Sequence, residues 1–233
     1  MKTLFSKQIT QKISVSLEGE DVPAGSPLFA INWFDTRLSV LYHFYNSMAA
    51  SRVFRIGGKV FIKAKVGEQL AGDSTMKRQF LLIVNYPSPE AFLNLTGDLV
   101  FQVISLMRTA AVKRFSFCLN KRYEDPQLLK TRFQDHDETK KYAVLIFKGD
   151  FAEDLRALAK GQSIELLFSS ERALTLAVKK GEIVEGNTAI TEKVFLLRAD
   201  DEEPLETFFS ASEFIDASSS WEDFFAAHLH PIF

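Results

Sequence analysis

Apolar residues in this chain fall in short runs separated by polar breaks, and the same order of runs occurs twice. Leu28-Phe-Ala-Ile-Asn-Trp33 and Tyr142-Ala-Val-Leu-Ile-Phe147 stand 114 residues apart, as do the segments Lys59–Glu68 and Ala173–Glu182 and the segments Gln79–Val84 and Lys193–Arg198. Three strand-like segments that keep one offset predict a degenerate tandem duplication.

In the first copy, 28–33 reads as a strand. Asp35 or Thr36 is placed to cap a helix reaching about Phe54, with Leu38, Leu41, Tyr42, Tyr45 and Met48 on one face. Gly57-Gly58 ends that helix. The stretch 59–66 alternates Val60, Ile62, Ala64 and Val66 against Lys59, Phe61, Lys63 and Lys65, the pattern of a strand with one wetter face. Gly67 and Gly72 bracket an expected turn, and 79–84 reads as a buried strand. Ser88-Pro89 opens a short helix, Gly97-Asp98 restarts a second, and Phe115, Phe117 and Leu119 mark a last strand.

The second copy follows the same plan from Tyr142. Gly149-Asp150 starts a helix that Gly161 breaks, Ser163–Ser170 reads as either an extra strand or a helical stretch, and strands follow at 173–180 and 191–199. Glu202-Glu-Pro204 opens another helix, Trp221–Phe225 falls near the end of that helical region, and Pro231 predicts a short, edge or irregular final strand. The expected organisation is an N-terminal extension at 1–27, a first repeat at 28–119, a linker at 120–141 and a second repeat at 142–233. Each repeat has the β-α-β-β-α-β order of a ferredoxin-like unit, with helices on one sheet face and the other face left to be buried. The expected fold class is therefore α+β, two fused ferredoxin-like units forming an intrachain dimeric α+β barrel.

The Gly57-Gly58 turn, the strand Phe80-Leu-Leu-Ile-Val-Asn85 and the junction Tyr86-Pro-Ser88 followed by Glu90-Ala91 resemble the DUF1330-like family of the dimeric α+β barrel superfamily. Arg108 looks like that family's arginine at a helix end. The resemblance implies a barrel built from paired units. Its wider relatives include cofactor-independent monooxygenases, small-lactone isomerases and haem-dependent chlorite dismutase-like proteins. The last pattern would place a proximal histidine in the second half, but none occurs between residues 143 and 227, so no cofactor is expected.

Composition narrows the classes further. A hydrophobic content of 46% and a charged content of 25% support a folded core, and no apolar run approaches the roughly 20 residues of a membrane span. A single cysteine, Cys118, fits a reducing compartment, and the cytoplasm is the expected location. Residues 1–130 carry a formal +7 and residues 131–233 a formal −9, which either steers a partner or reflects solvated faces that diverged. The basic stretch Arg52, Arg55, Lys59, Lys63 and Lys65 conflicts with the acidic second half, so nucleic acid is not expected as a partner.

Candidate chemistry centres on the first helix. His43, Tyr42 and Arg108 are candidate catalytic groups, and Asn32, Tyr45 and Asn85 candidate substrate contacts. His136 lies in the polar linker. His228 and His230 share a strand face but make only two ligands, so no metal is expected. No catalytic motif decides whether the chain is an enzyme. The leading expectation is binding of a small organic molecule between helices and sheet. The alternatives are a cofactor-independent monooxygenase or isomerase, and an interaction module presenting Phe208, Phe209, Trp221, Phe224 and Phe225. A pseudo-dimer within one chain is expected, with further homodimerisation left open.

Overall fold

The computed structural model describes residues 25–122, 137–149, 153–179, 182–184 and 193–232. His136 and most of the expected linker lie outside the described residues. The elements run β1 (Leu28–Thr36), α1 (Ser39–Arg55), β2 (Lys59–Gly72), β3 (Phe80–Tyr86), α2 (Pro89–Gly97), α3 (Leu99–Ala111), β4 (Val112–Arg122), β5 (Lys141–Lys148), α4 (Glu153–Gly161), β6 (Glu165–Lys179), β7 (Glu182–Val184), β8 (Lys193–Ala199), α5 (Glu202–Ser210), α6 (Ser212–Ser218) and β9 (Glu222–Pro231).

The chain divides into two compact units that do not follow its sequence halves. The first contains the segments up to Lys63, from Arg78 to Arg122, and from Arg172 through β7. The second contains Ala64–Lys77, the stretch ending at Glu171, and β8 onward. Strands β2 and β6 each begin in one unit and end in the other. The first unit's strand order is β6-β4-β1-β3-β2 and the second's is β2-β9-β5-β8-β6, with β7 on β6. Because the same two strands border both sheets, the antiparallel ladder of eight strands closes on itself, giving the α+β barrel class that the sequence predicts.

Equivalent strands fix the repeat. Asn32 pairs with Leu82 and Leu145 pairs with Phe195, so matching ladder positions are 113 residues apart. The helix starts Pro89 and Glu202, and Leu99 and Ser212, keep the same spacing. The expected offset of 114 is thus one residue too long, and side-chain alternation makes that slip an exchange of sheet faces.

In the first unit Ala30, Asn32 and Phe34 of β1 face the helices with Leu82, Val84 and Phe117. Phe34, Tyr42, Phe92, Leu95, Phe101 and Ile104 anchor this layer. In the second unit Leu145, Phe147, Phe195, Phe208, Phe214 and Trp221 anchor the matching layer. Here the rings pack tightly, Phe147 stacking on Trp221 with centroids 4.3 Å apart and Phe214 meeting Trp221 edge-on at 5.6 Å.

Several local expectations change. Helix α1 starts at Ser39 with no side-chain cap, because Asp35 is buried in β1, accepts the Gln79 N–H at 2.8 Å and pairs with Arg114. Its buried face is Tyr42, Tyr45, Ala49 and Val53, while Leu38 and Met48 are exposed. Gly57 ends it at φ +81°, a conformation that favours glycine. The caps at Ser88 and Asp98 form as the sequence predicts.

Gly67 lies inside β2 at a register break rather than at a turn. A Cβ there would lie 2.4 Å from His230 Nε2, so close approach of the neighbouring strand explains the glycine. The stretch 163–180 holds one long strand, β6, and Trp221 follows α6 into β9. Strand β9 is neither short nor at an edge, but it is irregular, the third expected alternative, with register shifts against both β2 and β5. It pairs with both β2 and β5, and Pro231 closes it opposite Ala64, where a missing N–H matters little. The expected apolar surface at Phe208, Phe209, Trp221 and Phe225 is instead core. Exposed apolar residues sit on α1 and α3, notably Val40, Phe44, Leu99 and Val103. Among the described residues no helix is long and apolar enough to cross a membrane.

Candidate ligand-binding site

The first unit holds a cavity of about 70 Å³ between its sheet and helices α1 and α3. Its origin is local. Tyr45, Ala49 and Val53 recur every four residues along α1 and so share one face. Ala30 on β1 and Ala49 on α1 are too small to fill the layer they line. Phe101 and Arg108, two turns apart on α3, close one side, and Tyr86, Phe92 and Phe117 supply ring walls. Tyr86 meets Phe92 edge-on at 5.2 Å, and Phe92 stacks with Phe117 at 6.1 Å.

Three polar side chains enter this apolar wall. Asn32, 7% exposed, donates through Nδ2 to the carbonyls of Ala30 and Leu82, each at 3.2 Å, which fixes the amide plane. Arg108 is 6% exposed, with its guanidinium 4.9 Å from the Phe115 ring centre and 5.8 Å from that of Tyr45. Those two faces hold the cation by its attraction to aromatic quadrupoles. Burial pushes the phenols of Tyr42 and Tyr86 well above the ordinary tyrosine value. Tyr45 adds to that rise and Arg108 opposes it. Both phenols therefore stay protonated at neutral pH and act as hydrogen-bond donors rather than anions.

The structure brings Asn32, Tyr45 and Arg108 of the sequence candidates to one cavity. Tyr42 packs behind it, 5.8 Å from the Tyr45 ring and 4.9 Å from Phe34. His43 does not line the cavity. One residue along a helix turns the side chain by about 100°, and His43 follows Tyr42 onto the exposed face. Asn85 falls on the opposite sheet face from Asn32, because it pairs with Phe29 rather than with an even-numbered residue of β1; its buried Oδ1 meets no hydrogen-bond partner among the described residues. Tyr86, Phe92, Phe101 and Phe117 join the site without having been sequence candidates. For Tyr86 the signal was parity with Leu82, the ladder partner of Asn32.

Elsewhere, His228 is buried and His230 exposed on β9. The Lys141 ammonium, 2.9 Å from Glu202, holds that carboxyl below its ordinary range, and both histidines add to the effect. Among the described residues no group of three His, Cys, Asp or Glu gathers as a metal cluster would require. The second unit's helix–sheet layer is filled by Phe147, Phe195, Phe214 and Trp221. No histidine occurs between residues 143 and 227, whereas His228 of this unit is buried opposite Ala143.

No family model matches the chain, and no curated protein matches it significantly. Solved structures do resemble it in part. A protein of unknown function from Rhodopseudomonas palustris aligns at 20% identity over 52% of this chain and 95% of that one, with a TM-score of 0.44. Chlorite dismutase from Candidatus Nitrospira defluvii, in complex with imidazole, aligns at 11% identity over 92% and 94%, with a TM-score of 0.48. An anthrone oxidase-like protein aligns at 10% identity over 91% and 94%, also with a TM-score of 0.48. The fold assignment rests on the chain's own strand pairing.

Proposed function

We propose that the first unit binds a small organic molecule in the cavity between its helices and sheet. One observation carries this reading: a buried guanidinium, an oriented amide and a tyrosine converge on a cavity whose remaining wall is largely apolar. Thermal unfolding of the full chain with a panel of small carboxylates, phenols and neutral aromatics tests it. A ligand at 100 times its Kd adds about 2.7 kcal/mol, or several degrees in Tm. Val53→Phe, which fills the cavity from α1, is expected to abolish the shift. A Tm unchanged across the whole panel overturns the reading.

A catalytic variant, a cofactor-independent monooxygenase or isomerase, is favoured by the same guanidinium, which can stabilise a developing oxyanion. In it Arg108 polarises the substrate and the neutral phenols of Tyr42 and Tyr86 hold the surrounding donors; exposed His43 has no part. Steady oxygen consumption or isomer formation by the pure chain, lost in Arg108→Gln, is the expected result. The exposed Val40, Phe44, Leu99 and Val103 favour an interaction role, with a second copy as the first partner to test by sedimentation. Kinship with the DUF1330-like family, the division into repeats at 28–119 and 142–233, and a cytoplasmic location complete the proposal. The single cysteine, Cys118, whose side chain is buried, supports the last of these.

A further inference from the structure

The Asn32 side chain sets the first constraint on what the cavity takes. Its Nδ2 is committed to the main-chain carbonyls of Ala30 and Leu82, and turning the amide over would press its oxygen against the same two acceptors. The orientation is therefore fixed, and Oδ1 is the atom left over. Oδ1 meets no donor among the described residues and is open to the cavity that Asn32 lines. A buried acceptor without a donor is unfavourable, so an occupant that brings an N–H or O–H is preferred.

Tyr86 sets the complementary demand. It is 4% exposed and lines the same cavity, and its hydroxyl meets no acceptor among the described residues. The phenol stays protonated, so it donates and calls for an acceptor. A carboxylate offers acceptors but no hydrogen for Asn32, and an ammonium offers hydrogens but no acceptor for Tyr86. Neutral polar groups can hold both. Asn32 pairs with Leu82, whereas Tyr86 stands four residues further along β3, about 13 Å in an extended strand. The two side chains thus reach the cavity from separate positions. A carboxamide carries its donor and acceptor on different atoms and fits that separation, whereas a hydroxyl places both on one.

Size sets the rest. About 70 Å³ is roughly half the volume of an apolar cavity that takes up benzene, so the enclosed space holds a polar head and part of a ring. Phe54 and Val60 line the cavity yet are 58% and 45% exposed, which places its mouth between α1 and β2. A planar ring extending to that mouth keeps an aromatic neighbour in Phe54. Building on the binding role argued above, we propose that the ligand is a benzamide-like aromatic primary carboxamide. Its N–H meets Asn32 Oδ1, its carbonyl accepts from the Tyr86 hydroxyl, and its ring lies toward Phe54 and Val60.

Calorimetric titration of the full chain with benzamide, acetophenone, benzoate, benzylamine and benzyl alcohol decides it. Acetophenone keeps the ring and carbonyl of benzamide and lacks the N–H. Benzamide is expected to bind about five- to a hundredfold more tightly than acetophenone, the range for leaving a buried acceptor unmet. The other three compounds are expected to bind more weakly than benzamide. Asn32→Leu is expected to erase the preference over acetophenone, and Tyr86→Phe to weaken both carbonyl compounds alike. Any of the four matching benzamide would overturn the ligand class and leave the cavity's binding role intact, as would a preference that survives Asn32→Leu. If none of the five binds, the ligand class and the binding role fall together. The benzamide-to-acetophenone ratio of the unaltered chain is sufficient should Asn32→Leu fail to fold.

Discussion

The two units solve the same packing problem with different residues. At matching ladder positions the first unit places Asn32 and the second Leu145. Counting from the helix starts at Leu99 and Ser212, Arg108 corresponds to Trp221, which stacks on Phe147, itself the counterpart of Phe34. The helices differ too: α1 has 17 residues against nine in α4, and α3 has 13 against seven in α6. One layer is filled by rings and leucines; the other keeps an amide, a guanidinium and a cavity. Apolar filling is the more stabilising choice for such a layer, since buried polar groups recover little net energy. The first unit's departure from it is the pattern expected where a binding requirement overrides packing.

The largest test of the contrast lies in the ring cluster. Phe214→Ala removes a fully buried ring that touches Phe208, Phe209 and Trp221, and is expected to destabilise the second unit by about 3–5 kcal/mol in urea unfolding. A loss under about 1 kcal/mol would show that this layer is not the close-packed one.

Exchanging the ladder residues comes next. Leu145→Asn is expected to cost about 1–3 kcal/mol, because it puts an amide among rings. Asn32→Leu should stay within about 1 kcal/mol of the parent chain while reducing any ligand-induced rise in Tm. Equal destabilisation by both exchanges would erase the distinction between the layers.

Helix capping gives the smallest effect. Asp98 accepts the Phe101 N–H at 3.0 Å and meets Arg52 at 3.2 Å, whereas α6 begins after Ala211 with no side-chain cap. Asp98→Ala is expected to cost about 1 kcal/mol and Ala211→Asp to add up to about that much. The Phe101 N–H, chiefly, holds the Asp98 carboxyl below its ordinary range. The folded state then binds its proton less readily than the unfolded chain. The cap's contribution is complete above roughly pH 4 and disappears as the pH falls through the lowered value. Unfolding curves of Asp98→Ala and the parent should therefore differ fully at pH 7 and draw together as the pH falls below about 4.

Most strands, the Gly57 turn and the caps at Ser88 and Asp98 were legible because their signals are local, whereas the turn expected at Gly67–Gly72 and the cap expected at Asp35 or Thr36 were overridden by strand pairing. Repeat register was not legible. Residues 28–35 of β1 and 142–147 of β5 are buried on both faces, so their apolar runs look alike when slid by one residue, and the slip to 114 carries no visible penalty. The same blindness hid which strand asparagine faced the helices. Asn32 and Asn85 interrupt apolar runs equally, and only the ladder separates them. Tyr45 and Arg108 stood out as polar groups on apolar helix stripes, whereas His43 drew attention by chemistry alone. Tyr86 read as part of a strand-to-helix junction and Phe117 as an ordinary strand residue, because nothing local distinguishes a cavity wall from a filled core.

The two long strands β2 and β6 have a consequence for how the protein is made. The ladder between β2 and β9 joins Ala64 to Pro231, and β4 needs β6 as its neighbour. Neither unit can finish folding on the ribosome from its own half of the message. The first must wait for β6 to emerge, and the second needs the end of β2, made in the first half, as the neighbour of β9. Pairings this distant along the chain form slowly, so the nascent protein carries open strand edges during much of its synthesis.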